Sequence, residues 1–157
     1  MEENRINGKT EHIVLRPMTE GDVAQVTALE QACFSDAWSE KSILDTLNQP
    51  QAFIVVAEQG NAIVGYCIVY FVLDEAEIAR VAVDASLRKQ GVGQELLRKT
   101  CHICKEKGIE RLLLDVREGN ENARRFYQAF GFEVDGLRKN FYDNPKEHAV
   151  LMSMSIV

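Results

Sequence analysis

The chain has 157 residues, 46% of them apolar and 27% charged, with a net charge of −6. That length suits one compact domain, able to bury roughly 70% of the surface of its unfolded chain. The acidic balance argues against nonspecific binding to nucleic acid or to a membrane surface, which both want a basic face, and suits a basic partner. Ile13–Arg16 reads as a strand. Thr19, with Asp22 three residues on, resembles a capping box and opens a helix carrying Val23, Val26 and Ala32. Ser39 caps a second helix with Ile43, Leu44 and Leu47. Ala52–Glu58 and Ala62–Leu73 read as strands joined by a hairpin at Gln59-Gly60-Asn61. Ala76–Val83 is the next strand, and Gly91–Lys107 a helix with Leu96, Leu97 and Ile103 inward and Gly108 past its end. A buried strand from Leu112 leads through Gly119-Asn120 into a helix whose Ala123, Phe126, Tyr127 and Phe130 share one face. Two strands, Phe132–Phe141 and Ala149–Ile156, close the chain. Pro17, Pro50 and Pro145 fall in predicted loops. The element order gives an α+β domain on a mixed sheet, spanning residues 1–157.

No apolar run approaches the ~20 residues of a membrane helix. Met1-Glu2-Glu3-Asn4-Arg5 is not followed by the apolar stretch of a secretory signal, so a cytoplasmic location is expected. Cys101-x-x-Cys104 has the form of a metal or redox pair. It lies inside a predicted helix with no second ligand pair, so both cysteines read as packed side chains and no metal is expected. His12, His102 and His148 are scattered and form no evident catalytic pairing.

The segment Val81-Ala82-Val83-Asp84-Ala85-Ser86-Leu87-Arg88-Lys89-Gln90-Gly91-Val92-Gly93 is the most informative. An alternating apolar strand runs into a polar turn and directly into a helix. Glycines let a ligand approach the backbone, and the first amides of a helix point outward with the positive dipole end behind them. Such a helix start takes a phosphate or pyrophosphate. The P-loop string is absent, and the dinucleotide fingerprint fails because Leu96 stands where its third glycine belongs. What remains is Arg88-x-x-Gly91-x-Gly93.

That string resembles the coenzyme A pyrophosphate loop of the GCN5-related N-acetyltransferases. Asn120-x-x-Ala123-x-x-x-Tyr127-x-x-x-Gly131-Phe132 resembles the second signature of the same family. Phe34-Ser35-Asp36-Ala37-Trp38-Ser39, with Ala37 where proline is usual, and Arg138-Lys139-Asn140-Phe141-Tyr142 resemble segments of its bacterial branch that acetylates the N-terminal alanine of a ribosomal protein. The resemblance runs from about Ile13 to Ile156. It implies a mainly antiparallel central sheet with helices on both faces, and acetyl-CoA as co-substrate. Arg88, Lys89, Gln90, Gly91, Val92 and Gly93 would hold the pyrophosphate, the backbone of Val81 and Val83 the pantetheine arm, and Asn120 a further contact. Tyr127 would protonate the leaving thiolate. The acceptor would be the N-terminus of a basic protein of the small ribosomal subunit, with Trp38, Glu75, Glu77 and Tyr142 beside it. The enzyme would be a monomer or weak dimer.

Acetyl transfer needs a neutral amine, and a carboxylate or a water can remove its proton. The resembling branch places a Glu on the strand before the second signature. Here Asp115 stands there, one methylene shorter, so the base is Asp115 directly or through water, or else Glu77, Glu75 or a water alone. Two other readings stay open: an enzyme of the same fold acting on a polyamine or aminoglycoside, and a coenzyme A-binding module without turnover. Intact Tyr127 speaks against the second.

Overall fold

Seven strands assemble into one sheet in the order β1-β2-β3-β4-β5-β7-β6 in a computed structural model that describes residues 12–157. The reading of Met1 to Arg5 lies outside the described residues. The strands are β1 Ile13–Pro17, β2 Ala52–Gln59, β3 Ala62–Val72, β4 Glu75–Val83, β5 Arg111–Arg117, β6 Glu133–Tyr142 and β7 Glu147–Ser155. The helices are α1 Val23–Cys33, α2 Glu40–Leu47, α3 Val92–Glu106 and α4 Glu121–Phe130. Every neighbouring pair is antiparallel except β4–β5. The parallel pair arises because α3 carries the chain back across the sheet between those strands.

The helices divide between the two faces. Leu96, Leu97 and Cys104 of α3 join Val55, Cys67, Leu112 and Met152 in the larger core, with the apolar side of α4 packed against it. Val23, Val26 and Leu29 of α1 and Ile43 of α2 cover the other face with Ile54, Tyr66 and Ile68. Each fully buried Leu or Ile contributes ~1.5–3 kcal/mol relative to exposure. Among the described residues no helix is long and apolar enough to cross a membrane.

Four details differ from the sequence reading. Pro17 is the last residue of β1 rather than a loop residue. It is tolerated because β1 is an edge strand, where one N–H needs no ladder partner. The link before β4 turns at Leu73-Asp74, with Leu73 at φ 56°, and β4 starts at Glu75. Ile103 is only half-buried at the rim of the core. Cys104 is buried but Cys101 only partly so; burial pushes their thiols up to about 12 and about 11.

One irregularity positions the site. In the β3–β4 ladder Ile68 pairs with Arg80 and Val69 with Ile78, so Ala79 is a bulge. Ahead of it, Ala76 and Ile78 face the larger core. Beyond it the alternation is shifted by one, so that Val81 and Val83 face that core while Ala82 faces α1 and Arg80 reaches Glu30 of α1.

Candidate active site

Strands β4 and β5 pair only over Glu75–Glu77 with Arg111–Leu113. Beyond that they part, and the backbone of Ile78–Val83 has no strand partner on the β5 side. Such an edge can accept an extended ligand as an added strand. Two cavities open along the split. One, of about 580 Å³, lies over the end of β4, the following loop and α4. The other, of about 560 Å³, lies between β4, β5, the end of α1 and the β6–β7 turn. Cys33, Phe34, Val81, Ala123 and Tyr127 line both, so the two form one cleft crossing the sheet.

The first cavity ends at a turn and helix start whose backbone amides can receive an anion. After Val83 a short turn, Ala85–Leu87, is held by Asp84, whose carboxylate accepts from the Ser86 amide at 2.9 Å. Lys89 and Gly91 then both take positive φ, 63° and 93°. Left-handed residues at alternate positions turn successive amides toward one concavity, and the free amides of the first turn of α3 continue it. The first helical bond is Glu95 N–H to Gly91 O, 3.1 Å. Gly93 has a second reason to be glycine: a Cβ there would lie 3.0 Å from Phe126 Cζ. Arg88 points its Nε at Val83 O, 3.1 Å, tying the loop to the end of β4. Arg88, Lys89, Gly91 and Gly93 line this cavity with Val81 and Val83. Val92 is buried and anchors the helix start in the core, while Gln90 turns its amide nitrogen to Ser86 O, 3.2 Å. Asn120 lines the second cavity and caps α4 through the Ala123 amide, 3.1 Å; Asn122 is the asparagine that lines the first cavity.

The second cavity holds the ionisable groups. Asp115, half-buried on β5, accepts a hydrogen bond from the Tyr142 hydroxyl. The Arg117 guanidinium lies 4.4 Å from the centre of the Tyr142 ring. It is fixed in turn by Glu147 at 3.2 Å and by the carbonyls of Asp143 and Pro145 at 3.2 and 3.0 Å. Burial first, then the Asp115 carboxylate, pushes the Tyr142 phenol well above its usual range. Tyr127 is raised too, chiefly by burial, then by Cys67 and Asp115. Its hydroxyl therefore stays protonated across the working range. Among the described residues no hydrogen bond holds that hydroxyl. Glu77 stands where the β4–β5 pairing ends, and burial and then the Asp115 charge raise its carboxyl.

Two predicted acceptor residues stand elsewhere. Trp38 packs half-buried against the α1-side core, and its amide donates to Glu30 Oε2 at 3.0 Å, so it lies behind the cleft wall. Glu75 is exposed at the closed end of the split. The wall contains a network that the sequence reading missed. Glu30, fully buried, accepts from Arg80 at 2.7 and 3.0 Å and from the Tyr66 hydroxyl. Arg80 also stacks on Phe34, 3.9 Å from the ring centre, and reaches Asp36 O at 3.1 Å. The network pins the end of α1 to β4. Its signal was available: a carboxylate inside the apolar pattern of a helix, and an arginine inside an apolar strand.

A backbone anion site, a strand edge left open for a ligand arm, and a free phenol beside a carboxylate make an acyl-transfer site. Residues 23–132 match the acetyltransferase (GNAT) family, and the chain belongs to that family. It is an N-acetyltransferase. It is 31% identical over 144 residues to the ribosomal protein bS18-alanine N-acetyltransferase of Haemophilus ducreyi, covering 90% of this chain and 99% of that one. It is 30% identical over 138 residues to the enzyme of that name from Escherichia coli K12, covering 86% and 92%. The crystal structure of the Escherichia coli enzyme superposes with a TM-score of 0.84 at 27% identity over 92% of this chain and 94% of that one. In fold alone, the chain matches an acetyl-CoA-bound GNAT acetyltransferase from Elizabethkingia anophelis, with a TM-score of 0.71 at 23% identity over 91% and 97% of the two chains.

Proposed function

We propose that this enzyme, as a single N-acetyltransferase domain, transfers the acetyl group of acetyl-CoA to the α-amine of an N-terminal alanine, on a basic ribosomal protein of the bS18 kind, in the cytoplasm. The observation that supports it best is the parting of β4 and β5, with the amide concavity at Lys89–Gly93 on one side and Asp115, Tyr127 and Tyr142 on the other. The names carried by the relatives supply the acceptor.

Arg88, Lys89 and the amides from Gln90 to Gly93 hold the pyrophosphate. The backbone at Val81 and Val83 pairs with the pantetheine arm as an added strand and polarises the thioester carbonyl. That places the acetyl group where the two cavities meet, beside Tyr127. An α-amine titrates near 7.7–8.0, so its deprotonation at neutral pH asks much less than that of a lysine near 10.4. The Asp115 side of the cleft removes the proton. After attack, Tyr127 donates its hydroxyl proton to the departing thiolate. Glu77 on β4, where the split opens, attracts the positive charge of a basic peptide.

The test is acetylation with radiolabelled acetyl-CoA across four acceptors: a peptide beginning with a free alanine, the same peptide blocked at its N-terminus with internal lysines intact, a polyamine, and an aminoglycoside. Label on the first alone is expected. Label on the polyamine or aminoglycoside and not on the first peptide overturns the acceptor assignment.

A further inference from the structure

Asp115 and Tyr142 lie 27 residues apart on β5 and at the end of β6, yet they share a hydrogen bond inside the acceptor cavity. The hydroxyl donates its only proton to Asp115 Oδ1, which leaves its two lone pairs able to accept. Both groups line the same cavity, so the phenol occupies one oxygen of the carboxylate there. An aspartate is also one methylene shorter than a glutamate at the same place on a strand, and the tyrosine oxygen extends its reach. The stacked Arg117, itself anchored at three points, keeps the ring from swinging away.

Resting on the α-amine acceptor reading, we infer that Tyr142 is a proton relay: the acceptor ammonium meets the Tyr142 oxygen, not the Asp115 carboxylate. The ammonium N–H bond breaks as its proton passes to Tyr142 Oη. The original Tyr142 proton passes to Asp115 Oδ1 in the same step. The products are a neutral amine, an unchanged phenol and a neutral Asp115 carboxyl, so one proton moves with no change of total charge. The phenol never has to ionise, which is consistent with the Asp115 charge disfavouring its ionised form. The titratable and charged groups around the pair are Glu77 and Arg80 on β4, Arg117 on β5, the neutral Tyr127 on α4 and Glu147 on β7, with Asp36 and Asp143 at the rim.

The experiment measures the single-turnover acetylation rate of an alanine-initiated basic peptide from pH 6 to 9.5, with coenzyme A affinity by calorimetry as the check on folding. Tyr142→Phe keeps the ring and its stacking. It should lower the rate ~10²-fold at neutral pH, with coenzyme affinity unchanged and much of the loss recovered at high pH, where solvent deprotonates the amine. Asp115→Asn should give a similar loss, and the two together no more, because they act as one unit. Asp115→Glu placed in the Tyr142→Phe background should restore at least ~10-fold, since the longer carboxylate reaches the amine itself. A parent inactive on this peptide removes the acceptor reading and the relay together. An active parent whose Tyr142→Phe variant stays within three-fold overturns the relay alone. So does a variant with a raised Michaelis constant and an unchanged rate, which would make Tyr142 a binding residue. A loss that neither high pH nor Asp115→Glu repairs also overturns it.

Discussion

The two cavities differ in how they are built. The side proposed for the coenzyme draws on two short stretches of chain, residues 81–94 and 122–127, joined by Cys33 and Phe34. The side proposed for the acceptor draws on the end of α1, β4, β5, α4 and the β6–β7 turn, which are far apart in sequence. A pyrophosphate and an extended arm can be held by backbone amides, so a local peptide conformation can serve them. An acceptor differs from enzyme to enzyme, and side chains can be exchanged without disturbing the sheet. This separation predicts that each side can be damaged without the other, and that only residues at the junction affect chemistry as a whole.

Tyr127 sits at that junction and carries the largest expected effect. Tyr127→Phe leaves the ring packed against Phe126 and Phe132, whose centres lie 5.2 and 5.6 Å away. Turnover should fall ~10²-fold or more, with coenzyme affinity by calorimetry unchanged. A change confined to affinity would mean that Tyr127 belongs to the coenzyme side alone.

Gly91→Val tests the side proposed for the coenzyme. At φ 93° a β-branched residue is strained by roughly 1–2 kcal/mol, and the loop must shift to relieve it. Coenzyme A should bind at least ~10-fold more weakly, the equivalent of about 1.4 kcal/mol, while the Michaelis constant for the peptide stays within two-fold. An unchanged dissociation constant in a folded variant would remove the pyrophosphate from this loop.

A third substitution, far from both cavities, should touch neither affinity nor turnover. Arg16 forms a fork onto Asp22 at 2.7 and 2.9 Å, and Asp22 also accepts from the Thr19 amide at 2.8 Å, which completes the predicted capping arrangement. The Arg16 bond holds the Asp22 carboxyl down at about 2. Its pKa is lower folded than unfolded, so its stabilisation is complete above about pH 4 and is lost as pH falls through about 2. Asp22→Asn should cost about 2 kcal/mol in denaturant unfolding at pH 7, and the difference should close below about pH 2. A loss of turnover at full occupancy of both substrates would show that the β1–α1 corner communicates with the cleft.

The sequence by itself determined the parts whose residues are neighbours along the chain. Arg88 to Gly93 could be read as an anion loop because a tight turn into a helix start is a local event, set by glycine's freedom and the unpaired first amides. The ends of α4 were equally legible: Asn120 caps it and Gly131 ends it at φ 131°. What its apolar face packs against was not legible. No residue of α4 is fully buried, because Ala123, Phe126 and Tyr127 are shared between the core and the cleft, and periodicity cannot distinguish those surroundings. The tertiary structure alone decided the rest. The bulge at Ala79 brings Val81 and Val83 onto the same face as Ile78, a displacement of one residue that no period-two pattern reveals. Trp38 moved from acceptor candidate to supporting wall, and Arg80 met Glu30 across 50 residues of sequence. Asp115 met Tyr142 because β7 pairs with both β5 and β6 and so holds the two strands one strand apart, within reach of a tyrosine side chain. A proton path depends on distances between atoms, and those are fixed by strand order and register rather than by the order of residues along the chain.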